Sequence, residues 1–135
     1  MNIDQFPMQT FEKLRYPDTD RQGHVNNAAF AAMFETGRVE ILYDTDQPLA
    51  SPDCAFVIVH LSIDFSSEIN WPGQVEIGTG VSKIGRSSVT FEQALFQKER
   101  LTATAKTVVV HMNESTRKSE PLNDMAVQRL IKLQR

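Results

Sequence analysis

The residue types best suited to chemistry lie in one short segment, residues 16–27, which reads Tyr-Pro-Asp-Thr-Asp-Arg-Gln-Gly-His-Val-Asn-Asn. It places two carboxylates, Asp18 and Asp20, a few residues before an apolar run that begins at Ala28. The first N–H groups of a helix have no partner within that helix. A carboxylate beside such donors can serve as a base or nucleophile while the donors stabilise a developing oxyanion.

The elements around this segment must hold it in place. Residues 17–25 contain Pro, Asp, Thr and Gly close together, which predicts a loop. Asn26 is predicted to cap a helix over residues 27–43, because its short side chain can accept from N–H groups two or three residues later. The Asn27 amide then lies in the first turn. The first half of this helix is apolar on nearly every side, which predicts a helix surrounded by protein.

The rest of the chain alternates as β-strands do. Strands are predicted over residues 8–16, 54–65, 74–84, 88–98 and 101–112, and a short amphipathic helix over 122–134. One sheet with one long apolar helix predicts an α+β fold, in which a mainly antiparallel sheet curls around the helix. No repeat or shift in composition divides the chain, so residues 1–135 are predicted to form one domain.

Bulk composition excludes several classes of protein. The net charge of −3 argues against a nucleic-acid binder, which needs a basic excess. The single cysteine permits no internal disulfide and suits a reducing compartment. No signal-peptide pattern and no membrane-spanning run is present. These observations predict a cytoplasmic protein with no membrane or nucleic-acid partner.

The segment from Asp18 to Asn27, followed by a helix through Arg38-Val39-Glu40, resembles the signature of hotdog-fold acyl-CoA thioesterases. More narrowly, it is similar to the 4-hydroxybenzoyl-CoA thioesterase-like branch. The resemblance implies hydrolysis of a thioester between an acyl group and coenzyme A (CoA), with no metal or organic cofactor. It also implies an obligate homodimer, often paired again into a dimer of dimers. Two sheets then join edge to edge, and each active site is built from both chains.

The resemblance makes Asp20 the catalytic carboxylate. The Asn27 backbone N–H, in the first turn of the helix, can donate to the thioester carbonyl, and its alternative partner is water or the cap. Asp20 either attacks the carbonyl itself or deprotonates a water, and the sequence leaves both routes open. The structural alternative is that Asp20 only stabilises its own turn. Asp18 is the rival carboxylate, and orienting the loop is its alternative role.

The remaining site predictions concern substrate binding. His24 is expected to line the pocket or bond the loop, and not to act as the base. A hairpin with guanidinium and hydroxyl groups is a candidate site for the phosphates of CoA, although it is equally typical of a solvated turn. The predicted substrate-binding residues are Asp18, Gly23, His24, Val25, Asn26, Arg86, Ser87 and Ser88.

Other polar residues are predicted to be structural. His60 and His111 are expected to be partly buried in strands, and Cys54 to be a small buried side chain, since no metal-ligand spacing or paired His is found. Glu35 is expected to pair with Arg38 one turn later. Gly37 inside the helix predicts close packing against a neighbouring element.

Two competing functions share the same fold. A non-catalytic acyl-CoA-binding domain is the first, and the presence of Asp20 argues against it. A dehydratase or hydratase is the second, but the differently spaced His and acidic motifs of those enzymes are not found in this sequence.

Overall fold

The computed structural model describes all 135 residues and has five strands, two α-helices and two short 3-10 turns. The elements are Met8–Lys13 (β1), Asn27–Leu42 (α1), Cys54–Phe65 (β2), Gln74–Ile84 (β3), Ser88–Gln97 (β4), Arg100–Asn113 (β5) and Asp124–Ile131 (α2), with 3-10 turns at Ile3–Gln5 and Tyr16–Asp18. The predicted α+β class is confirmed. The first strand is shorter than predicted because a 3-10 turn containing Pro17 follows it. Neither helix has the length and apolar character needed to cross a membrane.

All five strands form one antiparallel sheet in the order β1-β3-β4-β5-β2. Tight hairpins join β3 to β4 and β4 to β5, whereas β1 and β2 lie at opposite edges. The chain passes from β1 to β2 through α1, so this helix must cross one face of the sheet. The crossing places the start of α1, and the loop before it, at one end of the sheet.

Helix α1 buries one stripe of its surface. The buried residues follow the spacing of a helix face, and they are Phe30, Met33, Phe34, Gly37, Arg38, Ile41 and Leu42. On the opposite side Ala28, Ala32, Glu35 and Val39 are exposed. The prediction that the helix is surrounded is therefore wrong for the isolated chain, because only one face of α1 has a sheet to pack against.

The core divides along α1. Phe30, Met33 and Phe34 pack with residues of β3, β4 and β5, including Val75 and Leu95. The C-terminal half of α1 packs with β3, β4, β5 and α2 in a second cluster. Each fully buried side chain of this kind contributes about 1.5–3 kcal/mol. The first cluster therefore anchors the beginning of α1 firmly on the sheet.

The middle of α1 approaches the sheet closely. A Cβ on Gly37 would lie 2.6 Å from Thr79 Oγ1 and 2.7 Å from Gln93 Nε2, which confirms the predicted close packing. Next to it, Arg38 is buried and donates to Gln93 Oε1 at 3.2 Å and Thr107 Oγ1 at 3.4 Å. Burial lowers the pKa of the Arg38 guanidinium. The predicted ion pair with Glu35 is absent, because Arg38 turns into the sheet.

The two edges of the sheet differ. β1 has only six residues, and Glu12 on it places a carboxylate oxygen, Oε2, in a buried position without a hydrogen-bond partner. β2 has twelve residues and exposes a series of large apolar side chains. These are Ile58, Val59, Leu61 and Phe65.

Candidate active site

The residues before α1 form a small hairpin, which we call the Asp20 loop (residues 19–25). Thr19 pairs with Val25 in a β-bridge, and the Asp20 N–H donates to the His24 carbonyl at 2.7 Å. Gly23 completes the turn by donating its N–H to the Asp20 carbonyl at 3.1 Å. Gly23 has a φ of +80°, a conformation that favours glycine, so the sequence at this position produces the bend.

The Asp20 carboxylate is held by this loop. Its Oδ1 accepts from the backbone N–H of Gln22 at 2.8 Å and of His24 at 3.2 Å, whereas Oδ2 accepts no hydrogen bond from the protein. The structural alternative for Asp20 is therefore real, since its side chain does stabilise the turn. The same two bonds orient the carboxylate and leave its second oxygen free to contact another molecule.

The start of α1 has the predicted cap. Asn26 Oδ1 accepts from the Ala29 N–H at 3.0 Å, and the Asn26 N–H donates to the Asp18 carbonyl at 2.8 Å. The Asn27 N–H is in the first turn and donates to no acceptor in the chain. It carries part of the positive end of the helix dipole. The loop and the helix therefore present an oriented carboxylate and a free amide donor close together.

A cleft of about 300 Å³ contains both groups. Its apolar wall includes Phe30 and Phe65, whose rings pack edge to face with centroids 5.0 Å apart. The lining residues are Asp20, His24, Val25, Asn27, Phe30, Phe65, Ser66, Ser67 and Glu68. The cleft combines a carboxylate, a helix N-terminus and aromatic surface, which together suit a polarised carbonyl attached to an apolar group.

Glu68 is a member of the cleft that the sequence prediction missed. His24 Nε2 lies 3.3 Å from Glu68 Oε2, and both side chains are partly exposed. The segment 66–72 is held in place at its start because Ser66 and Ser67 both donate their N–H to the Thr102 carbonyl. A bridge between His24 and Asn70 then brings this segment beside the Asp20 loop. The order Ser-Ser-Glu after a strand contains no local signal for that contact.

The structure places the other predicted residues differently. Asp18 is directed to Arg15, whose Nε lies 3.9 Å from Asp18 Oδ2, and it does not line the cleft. Val25 lines the cleft but is 4% exposed and belongs to the core. Gly23 and Asn26 shape the loop and the cap without lining the cleft.

The predicted phosphate-binding hairpin lies elsewhere in the chain. It connects β3 to β4 at the end of the sheet away from the Asp20 loop, so the eleven residues of β3, roughly 35 Å of strand, separate them. The residues are Arg86, Ser87 and Ser88, and none lines the cleft of its own chain. Their contact with CoA stays a prediction.

At that far end lies a second polar group, which we call the Cys54 cluster (Ser51, Cys54, His111, Asn113 and Glu120). Cys54 Sγ donates to Glu120 Oε2 at 3.2 Å, and Asn113 Nδ2 donates to Glu120 Oε1 at 2.9 Å. The Ser51 N–H donates to His111 Nε2 at 3.1 Å, so His111 Nδ1 carries the proton that bonds the Glu120 carbonyl, also at 3.1 Å. Every polar group of the cluster has a partner.

Electrostatics in the Cys54 cluster support a structural role. Burial, reinforced by the bond to Glu120, raises the pKa of the Cys54 thiol to about 11. The bonds from Cys54 and then Asn113 lower the pKa of Glu120. His111 is fully buried, which confirms the structural prediction, whereas His60 is exposed and that prediction of burial is wrong.

Comparisons with known proteins agree with this geometry. Residues 14–130 match the model of the Thioesterase-like superfamily. The acyl-CoA thioester hydrolase YbgC of Escherichia coli O6:H1 is 27% identical over 90 residues, which cover 64% of this chain and 67% of that protein.

Solved structures agree over nearly the whole chain. A protein from Pseudomonas aeruginosa superposes with a TM-score of 0.89 at 25% identity, covering 98% of this chain and 95% of that one. A thioesterase from Thermus thermophilus, crystallised with coenzyme A and zinc, gives a TM-score of 0.80 at 25% identity, with 95% and 94% covered.

Proposed function

This chain belongs to the Thioesterase-like superfamily and is a hydrolase of the hotdog fold, and on that basis we propose how it cleaves an acyl-CoA to a carboxylic acid and CoA. The observation that carries the proposal is the free Oδ2 of Asp20 beside the free N–H of Asn27 in one cleft. We place the thioester carbonyl between them, with its acyl group against Phe30 and Phe65.

Asp20 acts on the carbonyl carbon. Two backbone donors hold its Oδ1, so the side chain loses little freedom on reaching the reactive geometry, which favours catalysis through orientation. Oδ2 either takes a proton from an attacking water or attacks the carbon to give a mixed anhydride. In both routes the C–S bond breaks and the thiolate of CoA leaves.

The Asn27 N–H stabilises the oxygen of the thioester carbonyl as negative charge develops on it. Because the amide is free and lies at the positive end of α1, it need not break an internal bond to do so. A single donor of this kind contributes about 3 kcal/mol in other hydrolases. Asn26 has a positioning role here, since its cap fixes the first turn.

The first test is release of free thiol from a panel of acyl-CoAs of increasing chain length and with aryl groups. We expect hydrolysis of at least one class, and no release from any would contradict the proposed function. A non-catalytic acyl-CoA-binding domain would instead bind the panel without releasing thiol.

Labelled water tests whether Asp20 acts as the nucleophile. In a single turnover in water enriched with oxygen-18, nucleophilic attack transfers label to the Asp20 side chain when the anhydride is hydrolysed at that carboxyl group. Base catalysis leaves the side chain unlabelled and places the label only in the product acid. Label found in the Asp20 peptide by mass spectrometry would therefore exclude pure base catalysis.

We also propose that the protein acts as a homodimer joined through β2, and that two such dimers pair where a tetramer forms. β2 lies at an edge of the sheet, and Val59 and Phe65 on it are 60% and 50% exposed. Phe65 also lines the cleft, so a partner on this edge would cover the cleft as well. The single cysteine is consistent with a cytoplasmic location, which belongs to the same proposal.

Light scattering on a sizing column tests the dimer. Val59→Lys is expected to give monomers with reduced thioesterase activity, because a charge on each copy would repel the other across the joined edges. Phe11→Lys, a matched change at an equally exposed apolar residue on β1, is expected to leave the dimer intact. Dimers of normal activity from Val59→Lys would exclude β2 as the interface.

A further inference from the structure

A second cleft lies next to the one that contains Asp20, and it is larger, at about 480 Å³. It is formed by the turn after β2 and by the hairpin that joins β4 to β5. Its lining residues are Asn70, Trp71, Pro72, Gln97, Lys98 and Arg100. The lining thus holds one large aromatic ring and two cations, and no carboxylate.

The two clefts share one strip of backbone. Residues 66–68 line the cleft at Asp20, and residues 70–72 continue directly into the second one. Arg100 Nη2 donates to the Glu68 carbonyl at 2.9 Å, and the Trp71 N–H donates to the Gly23 carbonyl at 3.4 Å. A flexible chain that leaves the thioester site along this strip therefore reaches Trp71 and Arg100.

The second cleft is well ordered by internal bonds. Gln97, which is 6% exposed, donates to the Asn70 carbonyl at 2.8 Å and accepts from the Asn70 N–H at 3.0 Å. This pair of bonds fixes the backbone beside Trp71. Trp71 is 43% exposed, and its ring packs edge to face with that of Tyr16, with centroids 5.1 Å apart.

Charges separate across the hairpin. Lys98 and Glu99 both have positive φ, +50° and +68°, as in the tight turns that join adjacent antiparallel strands. Lys98 and Arg100 line the Trp71 cleft, whereas Glu99 lines a different cleft with Asp4 and Glu76. The lining of the Trp71 cleft therefore carries two cations and no carboxylate, although the net charge of the protein is −3.

We propose that this cleft binds the nucleotide end of CoA, with the adenine ring against Trp71 and phosphates on Lys98 and Arg100. Aromatic faces bind bases by stacking, and guanidinium and ammonium groups bind phosphate through charge-assisted hydrogen bonds. The proposal rests on the proposed function, because the acyl end of the same molecule occupies the cleft at Asp20. It assigns the nucleotide to the hairpin of β4 and β5, and not to the hairpin that contains Arg86.

Trp71 is the single tryptophan of the chain, so its fluorescence reports on the cleft without any turnover. Titration with CoA is expected to quench this emission, and titration with pantetheine, which lacks the nucleotide, is expected to leave it unchanged. Lys98→Gln should raise the CoA concentration needed for half-maximal quenching about tenfold, as expected for the loss of one charged contact. Lys118→Gln, an exposed cation outside both clefts, is the control for a change of charge.

Kinetics provide the second measurement. With acyl-CoA, Lys98→Gln and Arg100→Gln are expected to raise KM about tenfold each with little change in kcat. With the corresponding acyl-pantetheine, Lys98→Gln should have no effect on KM, which separates a lost phosphate contact from a general disturbance. Arg100→Gln removes the internal bond to the Glu68 carbonyl and could therefore lower stability. The Lys98 side chain makes no internal hydrogen bond, so Lys98→Gln tests the subsite independently of that effect.

The outcomes separate the two proposals. Hydrolysis of neither acyl-CoA nor acyl-pantetheine by the wild type would overturn the proposed function, while quenching of Trp71 by CoA would still support the subsite. Hydrolysis of both with equal KM, and no change in Trp71 emission, would overturn the subsite alone. A rise in KM for acyl-CoA in Arg86→Gln, but not in Lys98→Gln, would move the nucleotide to the other hairpin.

Discussion

The Asp20 loop and the Cys54 cluster lie at opposite ends of the sheet and use similar groups to different effect. Each contains a carboxylate bound by neighbouring donors, and each has a histidine close by. In the Cys54 cluster both oxygens of Glu120 accept hydrogen bonds and His111 is completely buried. In the Asp20 loop one carboxylate oxygen accepts no hydrogen bond, and Asp20 lines a cleft.

With Asp20 in its proposed role, hydrogen bonding alone does not distinguish a structural carboxylate from a functional one. A carboxylate whose partners are all internal stabilises the fold and has no capacity left for a ligand. A carboxylate held through one oxygen is oriented and still available. The number of unoccupied acceptor positions, and a cleft beside them, separates the two cases.

The largest expected effect comes from removing the carboxylate charge at each end of the sheet in turn. Asp20→Asn is expected to reduce kcat at least about a hundredfold, because it removes the proposed base or nucleophile. Its stability should stay close to wild type, since the amide oxygen can still accept from Gln22 and His24. Glu120→Gln should show the reverse, with normal kcat and a lowered Tm. Thiol-release assays and thermal unfolding measure both properties.

Asp18→Asn serves as the control for the Asp20 loop. Asp18 contacts Arg15 and does not line the cleft, so its variant is expected to retain most activity. Loss of activity in Asp18→Asn, together with wild-type turnover in Asp20→Asn, would reverse the assignment.

The thiol of the Cys54 cluster should be unreactive in the folded protein. With a pKa of about 11, it has roughly a hundredfold less thiolate near pH 8 than a thiol with the ordinary value of 9.0. Alkylation by iodoacetamide is therefore expected to be slow in the native protein and fast in urea. Glu120→Gln should raise the alkylation rate of the native protein only in part, because burial is the main cause of the raised Cys54 pKa. Rapid native alkylation would show that the cluster is open.

The two helices offer a matched pair of caps. Asn26 accepts from the Ala29 N–H and Asn123 accepts from the Ala126 N–H, so replacing either by alanine should cost about 1 kcal/mol of stability. Only Asn26→Ala should also reduce kcat, because it loosens the turn that contains the Asn27 amide. Denaturant unfolding and kinetics together check this. Equal activity in both variants would mean that the start of α1 has no part in the reaction.

The smallest effect concerns pH. The pKa of Glu120 is lower in the folded protein than its ordinary value of 4.5, so the charged form contributes stability above that pH. This contribution is lost as the pH falls through the folded pKa. The Tm difference between wild type and Glu120→Gln should therefore shrink below about pH 4.5.

Local patterns predicted much of this molecule. Alternation in the sequence predicted the bounds of β2 and β3, although the burial of neither strand alternates in the structure. The Asn26 cap followed from residue type next to an apolar run. The Asp20 turn could also be predicted from local sequence, because the hydrogen bonds to its carboxylate join residues at most four positions apart.

The missed features depend on contacts between distant parts of the chain. Glu68 reaches His24 only because the segment after β2 pairs beside the Asp20 loop. The sequence predicted that Arg38 pairs with Glu35 because both lie on one helix. In the structure its partners are Gln93 and Thr107, which lie on strands distant in sequence, and helical spacing cannot predict such contacts. Lys98 and Trp71 likewise line one cleft because Gln97 on β4 bonds the backbone of Asn70 beside Trp71.

The unequal edges of the sheet have a consequence for growth of the assembly. A sheet with two open edges can add copies without limit and form a fibre. Here β1 is short and carries Glu12 with a buried oxygen that has no partner, features that discourage further pairing, whereas β2 is long and apolar. A chain with one receptive side pairs with its own equivalent side and then stops. In the dimer proposed above, the extended sheet would close at two copies, which would protect a β-rich protein from polymerisation.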